Sequence, residues 1–266
     1  LNQKSDLTLD NTDLVMDSGD RNATKTDTGK DAIYMAGNAG NSLNITNDSH
    51  LTIRNYRNAI AWNGTKENPN SKYEINVTEK SSLTADGNGA GIVGLESLDV
   101  LVDDSTLTIT NCTDRSGING ANVKIVNGST ANISDNHEGY GIHANDLLVE
   151  DSTLTANNNG YGGIRITGKG QFTNSTVTVT GTENKGNASI EITIGKNEHK
   201  NQYLIGSLDV KNSTLNVSNN SATGITCRKR YGLSTSLTID DASVVTIQNN
   251  HATPKNGFNT KGDIGG

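Results

Sequence analysis

The chain has 266 residues and a formal net charge of −7, and only 32% of its residues are hydrophobic and 4% aromatic. The negative charge argues against general nucleic-acid binding, and no stretch approaches the roughly 20 apolar residues of a membrane span. Low hydrophobicity is typical of disordered chains, but Pro occurs only twice and Val, Ile and Leu recur at regular intervals, which predicts a fold with a thin core.

A short sequence unit recurs along the chain. Residues 98–109 read LDVLVDDSTLTI, and residues 147–155, 208–217 and 237–247 repeat this pattern. Each unit has two segments of alternating apolar residues joined by an Asp/Asn-Ser turn, followed by an Asn/Gly turn and Gly-Ile. Alternation with a period of two predicts strands rather than helices. In chain order, the units begin near Leu7, Leu43, Tyr73, Leu98, Val123, Leu147, Phe172, Leu208 and Leu237.

Three short strands in a unit whose tightest spacing is 24–25 residues predict one coil of a parallel β-helix. Leucine-rich repeats have a different apolar pattern, and propeller blades need about 40 residues and four strands. We therefore predict an all-β chain, a single β-solenoid domain over residues 1–266 with about nine coils of three strands. Stacked coils bury only their inward side chains, which explains the low apolar content.

Three columns of stacked side chains are predicted inside the coils. Asn amides in the third column can bond from rung to rung and tolerate left-handed backbone, so Cys112 is interpreted as a substitute in an Asn ladder. The second-strand column is Leu14, Leu51, Leu83, Leu107, Ala131, Leu154, Val177, Leu215 and Val244 or Val245. The third-strand column is Ile33, Ile60, Ile92, Ile118, Ile142, Ile164, Ile190, Ile225 and Phe258. The turn column is Asn88, Cys112, Asn136, Asn159, Thr182, Asn220 and Asn250.

The two cysteines test this coil assignment. Cys112 falls in the fourth coil and Cys227 ends the third strand of the eighth, so four rungs separate them by about 19 Å along the axis. A disulfide needs Cα atoms within about 7 Å. We predict that both thiols are free and that Cys227 points inward.

The Asp/Asn-Ser-Thr-Leu-Thr-Ile units and the Gly-Ile third strands resemble the pectin-lyase-like right-handed β-helix over essentially the whole chain. Among its branches they most resemble the β-solenoid binding regions of Gram-positive, serine-rich-repeat surface adhesins. The resemblance implies a secreted bacterial cell-surface module that binds host or plant glycans, such as mucin, sialylated or sulfated glycans or pectin, or a host surface protein. It also implies a right-handed solenoid. The chain opens on Leu1 without a recognisable signal peptide, so we expect a fragment whose signal and anchor lie elsewhere.

Many proteins of this fold cleave polysaccharides, so an enzyme is the main alternative. The chain contains Asn11-Thr12-Asp13, Asp103-Asp104, Gly141-Ile142-His143 and Arg165-Ile166-Thr167, which is similar in order to the polygalacturonase motifs. Glycosidase carboxylates must lie within about 5–10 Å, whereas three rungs separate Asp13 from Asp103 by roughly 14 Å. Thr167 also replaces the Lys of that family. We therefore expect no catalytic residue, metal site or cofactor, and a monomeric binding module without nucleic-acid partners or membrane insertion.

A basic segment is the first candidate binding site. Residues 195–235 carry six basic and two acidic residues in an otherwise acidic chain. Two insertions, 195–207 and 228–236, leave the same corner on consecutive coils, so we expect them to lie side by side. Removing Arg228 and Arg230 is then expected to weaken binding of an anionic ligand with little loss of stability. The candidate residues are Lys196, His199, Lys200, Tyr203, Arg228, Lys229, Arg230 and Tyr231.

The outward face of the third strands is the second candidate site. His143, Arg165 and Glu191 occupy consecutive rungs there, and Arg165 and Glu191 are expected to pair, either as a surface ion pair or as the polar floor of a groove. Trp62 is expected in the core, and Tyr140 is expected to stack on Tyr161. Two further alternatives stay open: a passive stalk, and ice binding by the Thr ranks on the outward face of the second strands.

Overall fold

The computed structural model describes residues 5–19, 30–35, 40–62, 72–94, 98–183, 188–197, 202–251 and 264–265, which form strands and turns without a helix. The strands are β1 (Ser5–Asp10), β2 (Asp13–Asp17), β3 (Asp31–Met35), β4 (Asn41–Thr46), β5 (His50–Arg54), β6 (Asn58–Trp62), β7 (Tyr73–Thr78), β8 (Ser82–Asp86), β9 (Ala90–Val93), β10 (Leu98–Asp103), β11 (Thr106–Thr110), β12 (Ile118–Val126), β13 (Thr130–Ser134), β14 (Tyr140–Glu150), β15 (Thr153–Thr155), β16 (Gly162–Ile166), β17 (Lys169–Thr173), β18 (Thr176–Thr180), β19 (Ala188–Ile192), β20 (Ile194–Asn197), β21 (Gln202–Ile205), β22 (Ser207–Lys211), β23 (Thr214–Ser218), β24 (Thr223–Cys227), β25 (Lys229–Arg230), β26 (Leu233–Ser234), β27 (Ser236–Ile239), β28 (Val244–Gln248) and β29 (Ile264–Gly265).

Two parallel sheets build a parallel β-helix, which confirms the predicted fold class. One sheet has nine described strands in the order β2–β5–β8–β11–β13–β15–β18–β23–β28, one from each successive coil. The other sheet contains both the first and the third strands of the coils, because β12 and β14 each run on from a third strand into the next first strand. Only two strand pairs among the described residues are antiparallel, β20 with β21 and β25 with β26.

The predicted second-strand column is the inside of the coils. Leu51, Leu83 and the following members through Leu215 are fully buried. Leu215 pairs with Val245, whereas Val244 is 63% exposed, so Val245 continues the column. Leu14 pairs with Leu51 but is 36% exposed, because its strand has a described neighbour on one side only.

The third-strand column is also buried over its predicted members from Ile60 through Ile225, and Ile33 is half-buried. At the far end, Ile225 pairs with Ile264, the position for which the sequence predicts Phe258. Phe258 itself lies outside the described residues.

Polar ladders line both corners of the coil. In the turn column, Asn136 is fully buried, and its side-chain amide donates to Asn159 Oδ1 at 2.9 Å while its own Oδ1 accepts from the backbone of Cys112 at 3.1 Å. Cys112 therefore occupies an Asn position, as predicted. The left-handed residues are not the ladder amides but their predecessors, such as Asn111 with φ 58° and Asn158 with φ 53°.

A serine ladder at the other corner went unrecognised in the sequence. Backbone N–H groups there donate to the serine hydroxyl of the next rung, as Ser105 does to Ser129 and Ser129 does to Ser152 at 3.1–3.2 Å. These polar groups would otherwise be buried without partners. The members of this ladder are Ser49, Ser81, Ser105, Ser129, Ser152, Ser175, Ser213 and Ser243.

Both cysteines are free, as predicted. Cys112 is fully buried, and Cys227 is half-buried and packs against the core. Burial raises the pKa of the Cys112 thiol to about 12, with the Asp86 charge adding to the shift.

We expect Asn136→Ala to lower the free energy of unfolding by about 1–3 kcal/mol, because it leaves the buried backbone N–H of Cys112 without its acceptor. Asn122→Ala is the control, since Asn122 is half-buried on a strand and bonds only to Asp99 Oδ1 among the described residues. Its loss should be within about 0.5 kcal/mol. Urea unfolding measures the free energy of unfolding of both variants and the parent. An equal decrease in the two variants would show that the Asn ladder stabilises the fold no more than an ordinary strand residue does.

We expect Cys227 to react with a thiol reagent faster than Cys112 in the native protein. Only the thiolate is nucleophilic, and burial raises the pKa of both thiols but encloses Cys112 completely. Timed labelling followed by peptide mass spectrometry identifies the modified residue. Faster labelling of Cys112 would contradict its place inside the coil.

Candidate functional site

The outward residues of the third strands form one row along the solenoid, which we call the strand-three face. Strand pairing places Asn119 beside His143, His143 beside Arg165 and Arg165 beside Glu191 on consecutive rungs. This confirms the predicted order of the second candidate site. Among the described residues, the row is Tyr34, Ala61, Val93, Asn119, His143, Arg165, Glu191, Thr226 and Gly265.

Glu191 lies at the centre of a charged cluster although only 2% of its surface is exposed. Its Oε2 accepts a hydrogen bond from the Tyr140 hydroxyl at 2.5 Å and lies 3.7 Å from Arg165 Nε. Its Oε1 contacts Nε of Arg228. The alternative of a surface ion pair between Arg165 and Glu191 is therefore wrong, because the carboxylate is buried. We name Tyr140, His143, Arg165, Glu191 and Arg228 the glutamate cluster.

A glycine makes room for the tyrosine that covers this carboxylate. The Tyr140 strand and the Glu191 strand are two rungs apart, with Gly162 on the rung between them. A Cβ on Gly162 would lie 2.7 Å from Cε1 of Tyr140, so the ring passes directly over the glycine. Burial and the Glu191 charge raise the pKa of Tyr140, which stays a neutral hydrogen-bond donor. Tyr140 also contacts Tyr161 with a centroid distance of 6.3 Å, as predicted.

His143 continues the cluster as a neutral side chain. Its Nδ1 lies 3.0 Å from Asn119 Oδ1, and since an amide oxygen only accepts, Nδ1 carries the proton. Burial, followed by the Arg165 charge, lowers the pKa of His143 to about 4 against the opposing effect of Glu191. At neutral pH the cluster therefore holds two guanidinium charges and one carboxylate.

The two insertions of the first candidate site do lie side by side. Tyr203 on the β20–β21 hairpin and Tyr231 on the β25–β26 hairpin have ring centroids 4.8 Å apart and an interplanar angle of 31°. Tyr231 and Gly232 have φ values of 54° and 76°, the left-handed pair that closes a tight two-residue hairpin. We call these two hairpins the hairpin pair.

The basic residues of the hairpin pair have different surroundings. Lys196 pairs with Tyr203 across the first hairpin, and Arg230 lies over the Tyr231 ring at 4.9 Å. Lys229 is exposed. Arg228 belongs to the glutamate cluster, because its Nε contacts the buried Glu191 carboxylate, and the expectation that its removal costs little stability stays a prediction. His199 and Lys200 lie outside the described residues.

A groove of about 550 Å³ opens at the other end of the strand-three face. Sequence reasoning missed it, because its arginines, Arg57 and Arg115, lie in corners where polar residues are ordinary. Trp62 is 6% exposed and packs against Tyr73 at 4.7 Å, which confirms its predicted core position, yet its edge borders the groove. The lining residues are Asp31, Tyr34, Arg57, Asn58, Ala61, Trp62, Val93, Gly94, Arg115 and Asn119.

Acidic residues do not gather into a comparable site. Asp13 lies on β2 and Asp103 on β10, three rungs further along the stack, which is roughly 14 Å. Among the described residues, no three His, Cys, Asp or Glu side chains are placed to hold a metal ion. The described residues also contain no helix long and apolar enough to cross a membrane.

Comparisons with known proteins add no family to this fold. No protein-family model, no curated protein and no solved structure matches the chain. The chain is an all-β parallel solenoid, and this description rests on its strand topology alone. The resemblance to pectin-lyase-like adhesins stays a prediction.

We expect His143 to remain neutral down to about pH 4. Its protonation is opposed by burial and by Arg165, so Arg165→Gln should raise the pKa of His143. Because the unfolded chain takes up this proton first, near pH 6.5, His143 should reduce folding stability as the pH falls from there towards 4. Imidazole NMR titration of both proteins measures the two pKa values, and a His143 pKa near 6.5 would contradict the described burial.

Proposed function

We propose that the chain is a non-catalytic binding module of an extracellular bacterial surface adhesin, and that its strand-three face holds a glycan. The observation that carries this is Trp62. Trp62 lines the groove, and its indole Nε1 is buried without a hydrogen-bond partner among the described residues. A buried donor without an acceptor costs about 1–3 kcal/mol, and a ligand hydroxyl in the groove would supply the acceptor.

The other groove residues suit a polyhydroxylated ligand. Asn58 and Asn119 supply amide groups that can both donate and accept, and Arg57 and Arg115 supply fixed forks of N–H donors. Tyr34 is 52% exposed and gives an apolar surface at the same place. A concave site with a few convergent polar groups is the usual form of a small-ligand site.

The chemistry of the face favours binding over cleavage. His143 on the strand-three face has a pKa of about 4, which makes it a weak general base at neutral pH. Tyr140 has a raised pKa, and its hydroxyl already donates a hydrogen bond to Glu191. A polysaccharide lyase or hydrolase is therefore the second choice, and a passive stalk, which needs no groove, the third.

The proposal is tested on a glycan array with the whole chain and three variants. Trp62→Phe keeps an aromatic ring beside Tyr73 but removes the N–H together with part of the buried ring system, so we expect weaker binding of the captured glycan by about five- to tenfold and a lower melting temperature of a still folded protein. Arg115→Ala should weaken binding similarly, because Arg115 is an exposed groove residue. Lys124→Ala removes an exposed cation of a first strand and should bind as the parent does.

Three results would count against the proposal. Failure to capture any glycan favours the stalk. Binding that Trp62→Phe and Arg115→Ala leave unchanged places the site elsewhere. Shortened products, or new unsaturated uronates after incubation with a captured polysaccharide, identify an enzyme.

A further inference from the structure

The glutamate cluster carries more positive charge than its buried carboxylate requires. Arg165 and Arg228 contribute two charges and Glu191 one, while His143 is neutral at pH 7. One arginine would neutralise Glu191. The second leaves a net charge of one at a place where solvent screening is reduced, which is unfavourable for the folded state unless an anion shares it.

Both arginines face outward although their inner ends are buried. Each Nε is buried and has no acceptor in hydrogen-bond geometry among the described residues, so the contact with Glu191 is ionic. The side chains of Arg165 and Arg228 are nevertheless 30% and 35% exposed. A ligand can therefore reach the exposed parts of both side chains.

The surrounding residues hold the two guanidinium groups in place. Arg165 lies over the Tyr140 ring, 5.6 Å from its centroid, and Tyr140 is fixed by its bond to Glu191. Arg228 follows β24, whose Thr226 pairs with Glu191 on the neighbouring rung. A planar, pre-oriented fork of donors suits a carboxylate or a sulfate, which accept two hydrogen bonds side by side.

We infer that Arg165 and Arg228 form a subsite for one acidic group of the glycan, a uronate or sialate carboxylate or a sulfate ester, with Glu191 as a positioning residue. This rests on the proposed glycan-binding function and names its ligand class. Asn119 lines the groove and bonds to His143, so the subsite and the groove are contiguous on one face. A glycan chain laid along the solenoid axis would reach both.

The test measures binding of matched pairs of probes that differ only in charge. The pairs are oligogalacturonate and its methyl ester, a sialylated oligosaccharide and its desialylated form, and a sulfated oligosaccharide and its desulfated form. We expect the parent to prefer the acidic member of one pair at least tenfold, with the preference fading as salt rises. The pair that shows it distinguishes carboxylate from sulfate.

Substitution of each arginine tests whether the preference for the acidic probe depends on Arg165 and Arg228. Arg165→Gln and Arg228→Gln should each abolish it while leaving binding of the neutral member unchanged. Lys229→Gln is the matched control, because it removes the same charge from an exposed residue next to Arg228. Thermal unfolding of each variant checks that it is folded. The comparison of paired probes on the parent protein does not depend on any variant.

The outcomes separate the two proposals. Equal binding of both members of every pair, or a preference that survives both Gln variants, overturns the subsite and leaves glycan binding intact. A preference lost equally in Lys229→Gln also overturns it, because the effect is then general charge attraction. Binding of no probe, acidic or neutral, overturns the subsite together with the proposed function.

Discussion

Hydrogen bonding between consecutive coils is the interaction on which the rest of the structure depends. Each coil is too thin to form a core alone, so its inward side chains pack against the neighbouring coils, and many of its corner N–H groups donate to the next rung. Ser129 shows this directly, since its hydroxyl accepts from the coil before it and its backbone donates to Ser152 of the coil after it. Because hydrogen bonds in the polar ladders also hold neighbouring coils together, a chain that is only 32% hydrophobic can fold.

The same stacking fixes the geometry of the candidate site. Rungs about 4.8 Å apart bring residues distant in sequence into one row, but they also leave little room for large side chains. The row uses this in two ways. Gly162 lets Tyr140 cross a rung to reach Glu191, and Arg228, which directly follows β24 and donates its backbone N–H to Ile192 O, reaches the same carboxylate from the neighbouring rung. A buried acid is tolerated there because partners arrive from three separate coils.

The sequence predicts the features that repeat and misses those that occur once. The inward columns, the Asn ladder and the free cysteines follow from a local period, and errors there are single-residue shifts, such as Asn111 rather than Cys112 being left-handed. The contact of Arg228 with Glu191 is missed because Arg228 is assigned to an insertion in the sequence, whereas its backbone still donates to Ile192 O on the neighbouring rung. The groove is missed for a similar reason: its arginines lie in corners whose conformations the repeat does not specify.

Two unfavourable features of the structure involve the third strands. The unpaired indole N–H of Trp62, a groove residue, and the two positive charges around the single carboxylate of Glu191 are both costs to folding. Thr182 Oγ1 and Ser189 Oγ are also buried without a hydrogen-bond partner among the described residues, so such costs are not confined to one face. The outward face of the second strands carries Thr ranks that Asn132 interrupts. Local departures from the rules that stabilise a fold are expected where a site must meet a ligand.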